Sequence, residues 1–284
     1  MIRKLTLLTA AISLVALAGL STGCQKLRAR DQLNRGVKAF RNADYPTAVE
    51  HFKRAVDLDP TFQTSRLYLA MAYFSQYIPG AESPENQRMA DAAEAEFLKV
   101  LDTDPKNAVA IETMASLYYN QATGVADLQE KLKRLDRSKE WYQKLIQVDP
   151  QNKVGHYSIG VIAFLKYYPA VGMARADLNM PPEDLGPLKD RKIREKLRGE
   201  YQPVIDEGIQ ELEAAVKIDE QYDDAMAYLN LLYRHGAALS ESDGEYKDSI
   251  KKADDWLDRT METKRKKAEA SGPIGGITME QPSQ

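Results

Sequence analysis

The side chains that most often catalyse reactions or bind metals are spread thinly along this chain of 284 residues. Its three histidines, His51, His156 and His235, lie far apart, and no two have the spacing with which one helix holds a metal ion. Carboxylates occur in short groups such as Asp57 and Asp59. A carboxylate pair acting as glycosidase acid and base would need a deep cleft, which no pattern here indicates. We therefore expect no enzymatic activity, no metal site and no cofactor.

The single cysteine, Cys24, directly follows the small residues at 21–23. Arg3 and Lys4 begin the chain, and an apolar run occupies 5–20. A charged start, a short apolar core and small residues at the end are typical of a secretory signal. The apolar run is shorter than the ~20 residues that a helix needs to span a bilayer. One cysteine also excludes an intrachain disulfide.

The arrangement around Cys24 resembles the signal of bacterial lipoproteins, in which the cysteine is lipidated and becomes the new N-terminus. This resemblance implies a palmitate-bearing protein of the bacterial cell envelope, with 1–23 removed as signal and 24–30 as the lipidated cysteine and a short tether. Ser21 departs from the branched aliphatic residue usual three places before the cysteine. Gln25, where some bacteria use aspartate for inner-membrane retention, favours the outer membrane, facing the periplasm. The alternatives are an ordinary cleaved signal that leaves Cys24 as a free thiol, or an uncleaved anchor.

A series of basic residues in the second half of the chain is a candidate binding surface. Its members are Lys189, Arg191, Lys192, Arg194, Lys196 and Arg198, interrupted by Asp190 and Glu195. They could dock on anionic lipid headgroups or an acidic partner, each contributing about 1 kcal/mol near such a surface. We favour the alternative, a solvated helix with local ion pairs. A formal net charge of −3 gives no reason to expect nucleic acid as a partner.

A recurring helix–turn–helix pattern organises the rest of the chain. Its clearest copy spans 36–60 and contains small residues at Gly36, Ala48 and Ala55, bulky residues at Tyr45 and Phe52, and the helix-stopping Pro60. Pro60, Pro105 and Pro150 close three successive copies and are 45 residues apart. Such regular spacing predicts repeated helix pairs.

These residues resemble the tetratricopeptide repeat (TPR), whose pattern of about 34 residues places small and large side chains so that two antiparallel helices pack closely. The resemblance implies one all-α domain, a right-handed α-solenoid of about five helix–turn–helix repeats over 31–261. A long insert, about 165–203, interrupts the fourth repeat. The segment 262–284 is expected to be a charged, disordered tail.

Inside the insert, 181–185 is predicted to form a turn and a helix start. The basic residues from 189 to 198 are predicted to form a short helix, which Pro203 separates from the next helix.

The resemblance also implies that the first helix of each repeat lines a concave face. Its inward places carry mostly aromatic side chains: Phe40, Met71, Phe74, Tyr119, Tyr157, Val161 and Phe164. Our hypothesis is an apolar groove that accepts a helix or extended peptide of a protein partner. Alternatively, the rings only pack neighbouring first helices together, or the insert fills the groove. The places used by some TPR domains to clamp a peptide carboxylate carry Leu67, Glu112 and Ala227, so that mode is not expected.

Together these features favour a membrane-anchored TPR scaffold or assembly factor that binds protein partners at the bacterial cell envelope. Two alternatives remain open. One is a regulator of an envelope enzyme, for example in peptidoglycan metabolism. The other is a ligand-binding module, which would require a closed pocket.

Overall fold

A computed structural model describes residues 23–181 and 184–270, and within these ranges the chain forms α-helices and no strand. The first helix, α1, covers 23–41. The others are α2 (Tyr45–Leu58), α3 (Gln63–Phe74), α4 (Pro84–Thr103), α5 (Ala108–Thr123), α6 (Leu128–Val148), α7 (Lys153–Asp177), α8 (Arg191–Ile218), α9 (Asp223–Gly236) and α10 (Asp243–Ala270). These helices form five successive helix–turn–helix pairs, which confirms the predicted all-α repeat architecture.

The chain divides into two compact units, 1–141 and 142–284, and the division falls within α6. The predicted single solenoid domain over 31–261 stays a prediction. Each repeat of a TPR array contacts mainly its neighbours, so the contact network has no single centre that would hold all five pairs in one cluster.

The ends of the second helices follow from the predicted proline stops. α2, α4 and α6 each end two residues before a proline, at Leu58, Thr103 and Val148. α8 has no proline after it and ends at Ile218. There the side chain of Asp219 accepts a hydrogen bond from the backbone N–H of Gln221 at 3.0 Å. Asp59 and Asp149 form the same turn, so the aspartate turn ends a repeat with or without proline.

Small side chains allow the two helices of a repeat to touch. In unit 142–284, Leu212 of α8 lies against Gly160 of α7 so closely that a side chain on the glycine would overlap it. In unit 1–141, the Phe52 ring occupies the same relation to Gly36, and Phe52 is fully buried. Gly36, which the repeat pattern predicts as a small position, and Gly160 are therefore points of close helix approach.

The extra residues of repeats two and three form turns that meet each other within unit 1–141. Gly80 has a φ of +79°, a conformation that favours glycine. A Cβ on Gly124 would lie only 2.6 Å from the Cα of Gly80. Asn86 fixes the first turn, since its side chain accepts from the Ile78 N–H and donates to the carbonyls of Ile78 and Ala81, at 2.7–2.8 Å.

The predicted break at Pro203 does not occur, because α8 is one helix from Arg191 to Ile218 with the proline inside it. A proline in a helix removes one hydrogen bond and crowds the carbonyl four residues earlier. Here that carbonyl belongs to Gly199, an exposed residue, so water can replace the lost hydrogen bond. The helix start predicted within 181–185 is also wrong for its described part. α8 instead begins after Asp190, whose side chain accepts from the Ile193 N–H at 2.9 Å.

Most of the insert extends the helices of the fourth repeat. α7 continues to Asp177, and the connection returns to the unit where the Leu188 N–H donates to the Ala238 carbonyl at 2.9 Å. These parts form a small separate core whose buried members are Tyr167, Val171, Ala174, Met180, Leu188, Ile205, Ala238 and Leu239. The insert is therefore a packed part of unit 142–284.

Both predicted ends of the solenoid need correction. The expected tether at 24–30 is helical and belongs to α1, and Cys24 is exposed on it. Residues 262–270, expected to be disordered, continue α10, where Lys267 pairs with Asp223 of α9. The predicted signal at 1–22 and the tail at 271–284 lie outside the described residues. Among the described helices, none combines the length and apolar character needed to span a membrane.

The close approach of α8 to its neighbours can be tested with two glycines of that helix. A Cβ on Gly208 would lie 2.6 Å from the Cβ of Ala163, whereas one on Gly199 would have nothing within 4 Å. We predict that Gly208→Ala lowers the free energy of unfolding by about 1–3 kcal/mol through overpacking. Gly199→Ala should raise it by about 0.5–1 kcal/mol, since alanine favours helix. Urea denaturation followed by circular dichroism measures both, and equal effects of the two substitutions would contradict the described packing.

Candidate functional site

In unit 1–141, the predicted first-helix side chains are half-buried. Phe40, Met71 and Phe74 pack against the core of the unit, and Tyr119 is also half-buried. The Phe40 ring contacts Tyr45 edge-on, with centroids 5.3 Å apart. Each of these side chains therefore contributes to packing and still has accessible surface.

In unit 142–284, α7 and α9 bring six rings together, which we call the aromatic array. Its members are Tyr157, Phe164 and Tyr168 of α7, Tyr228 and His235 of α9, and Tyr222, the residue just before α9. The Tyr228 ring joins the two ends, since its centroid lies 5.7 Å from that of Tyr157 and 5.9 Å from that of Phe164. Tyr168 is the most open ring, with 45% of its surface exposed.

Sequence reasoning found two members of the array and missed four. Val161, predicted to face the groove, is only 4% exposed. The prediction that Val161 lines an accessible groove is therefore wrong, because this short side chain is buried within the unit. The sequence did contain a signal for the missed Tyr168. It lies 11 residues after Tyr157 and four after Phe164, which places all three rings on one helix face. Tyr228 and His235 are likewise seven residues apart on α9.

Burial and charge set the protonation of the array. Burial raises the pKa of the Tyr222 hydroxyl to about 12, with Asp224 adding to the effect. The pKa of Tyr228 is raised for the same two reasons. The Lys153 ammonium lies 5.0 Å from the centre of the Tyr222 ring and 2.6 Å from Asp219, whose pKa it lowers. Tyr222 and Tyr228 are therefore neutral hydrogen-bonding groups at physiological pH.

His235 is the ring of the array whose ordinary pKa lies nearest to neutral pH. Burial lowers the pKa of its imidazole, and the charges of Arg175 and Arg234 lower it further. The other two histidines lie elsewhere: His51 contacts Gln32 at 2.8 Å, and His156 contacts Glu211 at 2.5 Å. The three histidines therefore lie in three different environments.

The six predicted basic residues divide into two groups of three. Arg191 pairs with Glu195 at 2.6 Å, Arg194 donates to the Leu188 carbonyl, and Arg198 pairs with Glu245 of α10 at 2.6 Å. The second group consists of Lys189, Lys192 and Lys196, all exposed. Arg194 and Arg198 therefore tie α8 to the connection and to α10, whereas Arg191 forms a surface pair within α8 and the lysines are solvated.

Comparisons with known proteins agree with this helix-pair architecture. The sequence profile of the tetratricopeptide repeat family matches residues 115–152, which include α6 and the closing Pro150. A solved double mutant of MamA RS-1 has a TM-score of 0.50 at 14% identity, with 84% of this chain and 96% of that chain covered. The chain therefore carries a tetratricopeptide repeat over 115–152 and has a TPR-type fold.

Other solved TPR proteins also align along most of this chain. TTC0263, a thermophilic TPR protein of Thermus thermophilus, gives a TM-score of 0.44 at 14% identity, covering 86% of this chain and 98% of that one. YrrB, described as a TPR protein with an unusual peptide-binding site, gives 0.43 at 14% identity, covering 84% and 90%. No curated protein matches the sequence. The TPR fold suggests a protein-interaction scaffold.

The buried His235 predicts a pH dependence of stability. Above pH 6.5, the ordinary pKa, the ring is neutral both folded and unfolded, so no stability is lost. Below it, the unfolded chain takes up the proton first, so stability falls with pH until the folded ring also titrates. We predict that His235→Gln removes this part of the decline between about pH 6.5 and 5, whereas the control His51→Gln retains it. Urea unfolding at a series of pH values measures it. If the difference in unfolding free energy between the wild type and His235→Gln does not change with pH, the assignment to His235 is contradicted.

Proposed function

We propose that this TPR protein is a non-enzymatic scaffold, lipid-anchored through Cys24 at the bacterial cell envelope, that binds protein partners with the aromatic first-helix faces of its repeats. The observation that carries the partner-binding part is the aromatic array, whose rings are held in place by α7 and α9 and remain partly accessible. Aromatic side chains dominate binding energy at protein interfaces because they bury a large area with few freely rotating bonds.

The anchoring part rests on the charged start, the apolar run and the small residues before Cys24. The exposure of Cys24 at the start of α1 is compatible with acylation of its thiol. A helical segment rises about 1.5 Å per residue. An anchor on α1 would therefore hold the first repeat within about 10–15 Å of the membrane surface. We propose the outer membrane, facing the periplasm, as the site.

In the second unit, the array offers both apolar and polar contacts. The edges and faces of Phe164 and Tyr168 present apolar area, while the neutral tyrosine hydroxyls can donate to backbone carbonyls of a bound segment. A helix or an extended peptide of a partner would suit such a surface. The exposed Lys189, Lys192 and Lys196 can attract an acidic partner, whereas Arg194 and Arg198 are engaged within the unit.

A two-part experiment in intact bacterial cells tests the proposal. Cys24→Ser should abolish incorporation of an alkyne-labelled fatty acid and release the protein from the membrane fraction, whereas the neighbouring Gln25→Ser should change neither. Retention of label in Cys24→Ser would contradict lipidation at this residue.

The partner-binding part is tested by mild crosslinking followed by purification. Tyr168→Glu places a charge on the most open ring of the array and should reduce crosslinked partners at least tenfold. Tyr246→Glu on α10, outside the array, should retain them. Circular dichroism first establishes that both variants keep their helices. An unchanged partner set with Tyr168→Glu would contradict a binding role for the array.

A further inference from the structure

A small cavity lies beside the aromatic array within unit 142–284. Its volume is about 140 Å³, and Tyr168 and His235 form the side next to the array. Most of the remaining wall is apolar and comes from Val171, Ala176, Met180 and Leu185. A cavity of about 150 Å³ is large enough to hold benzene, so this one can accept a compact ring or a branched aliphatic group.

One charged side chain, Arg175 of α7, also lines this cavity although it is only 8% exposed. Its guanidinium donates to the backbone carbonyls of Asp184 and Gly186, the latter at 2.8 Å. The nearby Asp184 carboxylate instead accepts from the Gly186 N–H at 3.0 Å. Within 23–181 and 184–270, Arg175 forms no ion pair with a carboxylate. Neutral carbonyls orient the guanidinium without neutralising its charge.

The arrangement of this cavity favours an anion. A buried charge is costly unless an opposite charge accompanies it. The two carbonyl contacts use only two of the five N–H donors of an arginine. His235 carries no competing positive charge at neutral pH, because burial and Arg175 lower its pKa. A guanidinium matches a carboxylate well, since its planar donors can bind both oxygens.

We propose that this cavity binds a small monocarboxylate with a compact apolar body. The carboxylate lies against Arg175, and the body occupies the space between Val171, Met180 and Leu185. This binding does not depend on the proposed scaffold function, because Arg175 holds the carboxylate and Val171, Met180 and Leu185 hold the apolar body, although Tyr168 and His235 of the array form one wall. It makes the second unit a ligand-binding module in addition.

Benzoate is the probe for this proposal, and benzamide is its neutral counterpart of the same shape. Ligand-observed NMR and thermal unfolding of the complete protein follow binding. Benzoate should bind and raise the melting temperature with increasing concentration. Benzamide should bind at least tenfold more weakly because it cannot pair with the guanidinium.

A cavity-filling variant tests the location. Gly172 lines the cavity, yet a Cβ there would meet nothing within 4 Å, so Gly172→Leu should fold while its side chain fills the space. Gly199→Leu is the matched control, at another exposed helical glycine with open space. Benzoate binding should be weakened at least tenfold by Gly172→Leu and unchanged by Gly199→Leu. Equal binding of benzoate and benzamide, no binding of benzoate at millimolar concentration, or unchanged binding by Gly172→Leu would each overturn the proposal.

Discussion

The close approach of paired helices at small side chains is the constraint on which each unit depends. Phe52 against Gly36 and Leu212 against Gly160 set the distance between the first and second helix of a repeat. Protein interiors are packed so densely that one added methyl group must displace a neighbour. α7 lies against α8, and α8 lies against α9 where Leu232 approaches Gly208. The distances between these helices therefore also set how far apart α7 and α9 hold their rings. The aromatic array is therefore a consequence of repeat packing.

The second unit adds an element that the repeat alone does not supply. α7 extends past the length of a TPR helix, and Tyr167 on this extension is fully buried in the small core formed with the connection and α8. That core orients the outward side of the same extension, where Tyr168 joins the array and Arg175 lines the cavity. Binding surface and cavity thus share one support.

Much of the fold could be predicted from the sequence because the repeat has a strict spacing of small, large and helix-stopping residues. The structure of the inserts could not be predicted, because tertiary contacts override the local sequence rules there. Pro203 predicted a helix break, yet α8 continues through it from Arg191 to Ile218. In the site, the resemblance to the TPR pattern indicated Tyr157 and Phe164. The contacts of Tyr222 and Tyr228 depend on which helices meet, and no short-range pattern contains that information. Arg175 lacked a signal for the same reason, since its partners are backbone carbonyls.

Amide hydrogen exchange across the insert tests most directly whether it is a packed part of the second unit. The account predicts that the extension of α7 over 165–177 and the start of α8 over 191–203 are protected as strongly as 204–218, because one core holds them. In the connection, the amides of Leu185 and Lys189, which form no backbone hydrogen bond within the described residues, should exchange much faster and provide the internal reference. Exchange of 165–177 and 191–203 as fast as that of the connection would contradict the account, since the array and the cavity would then lack their support.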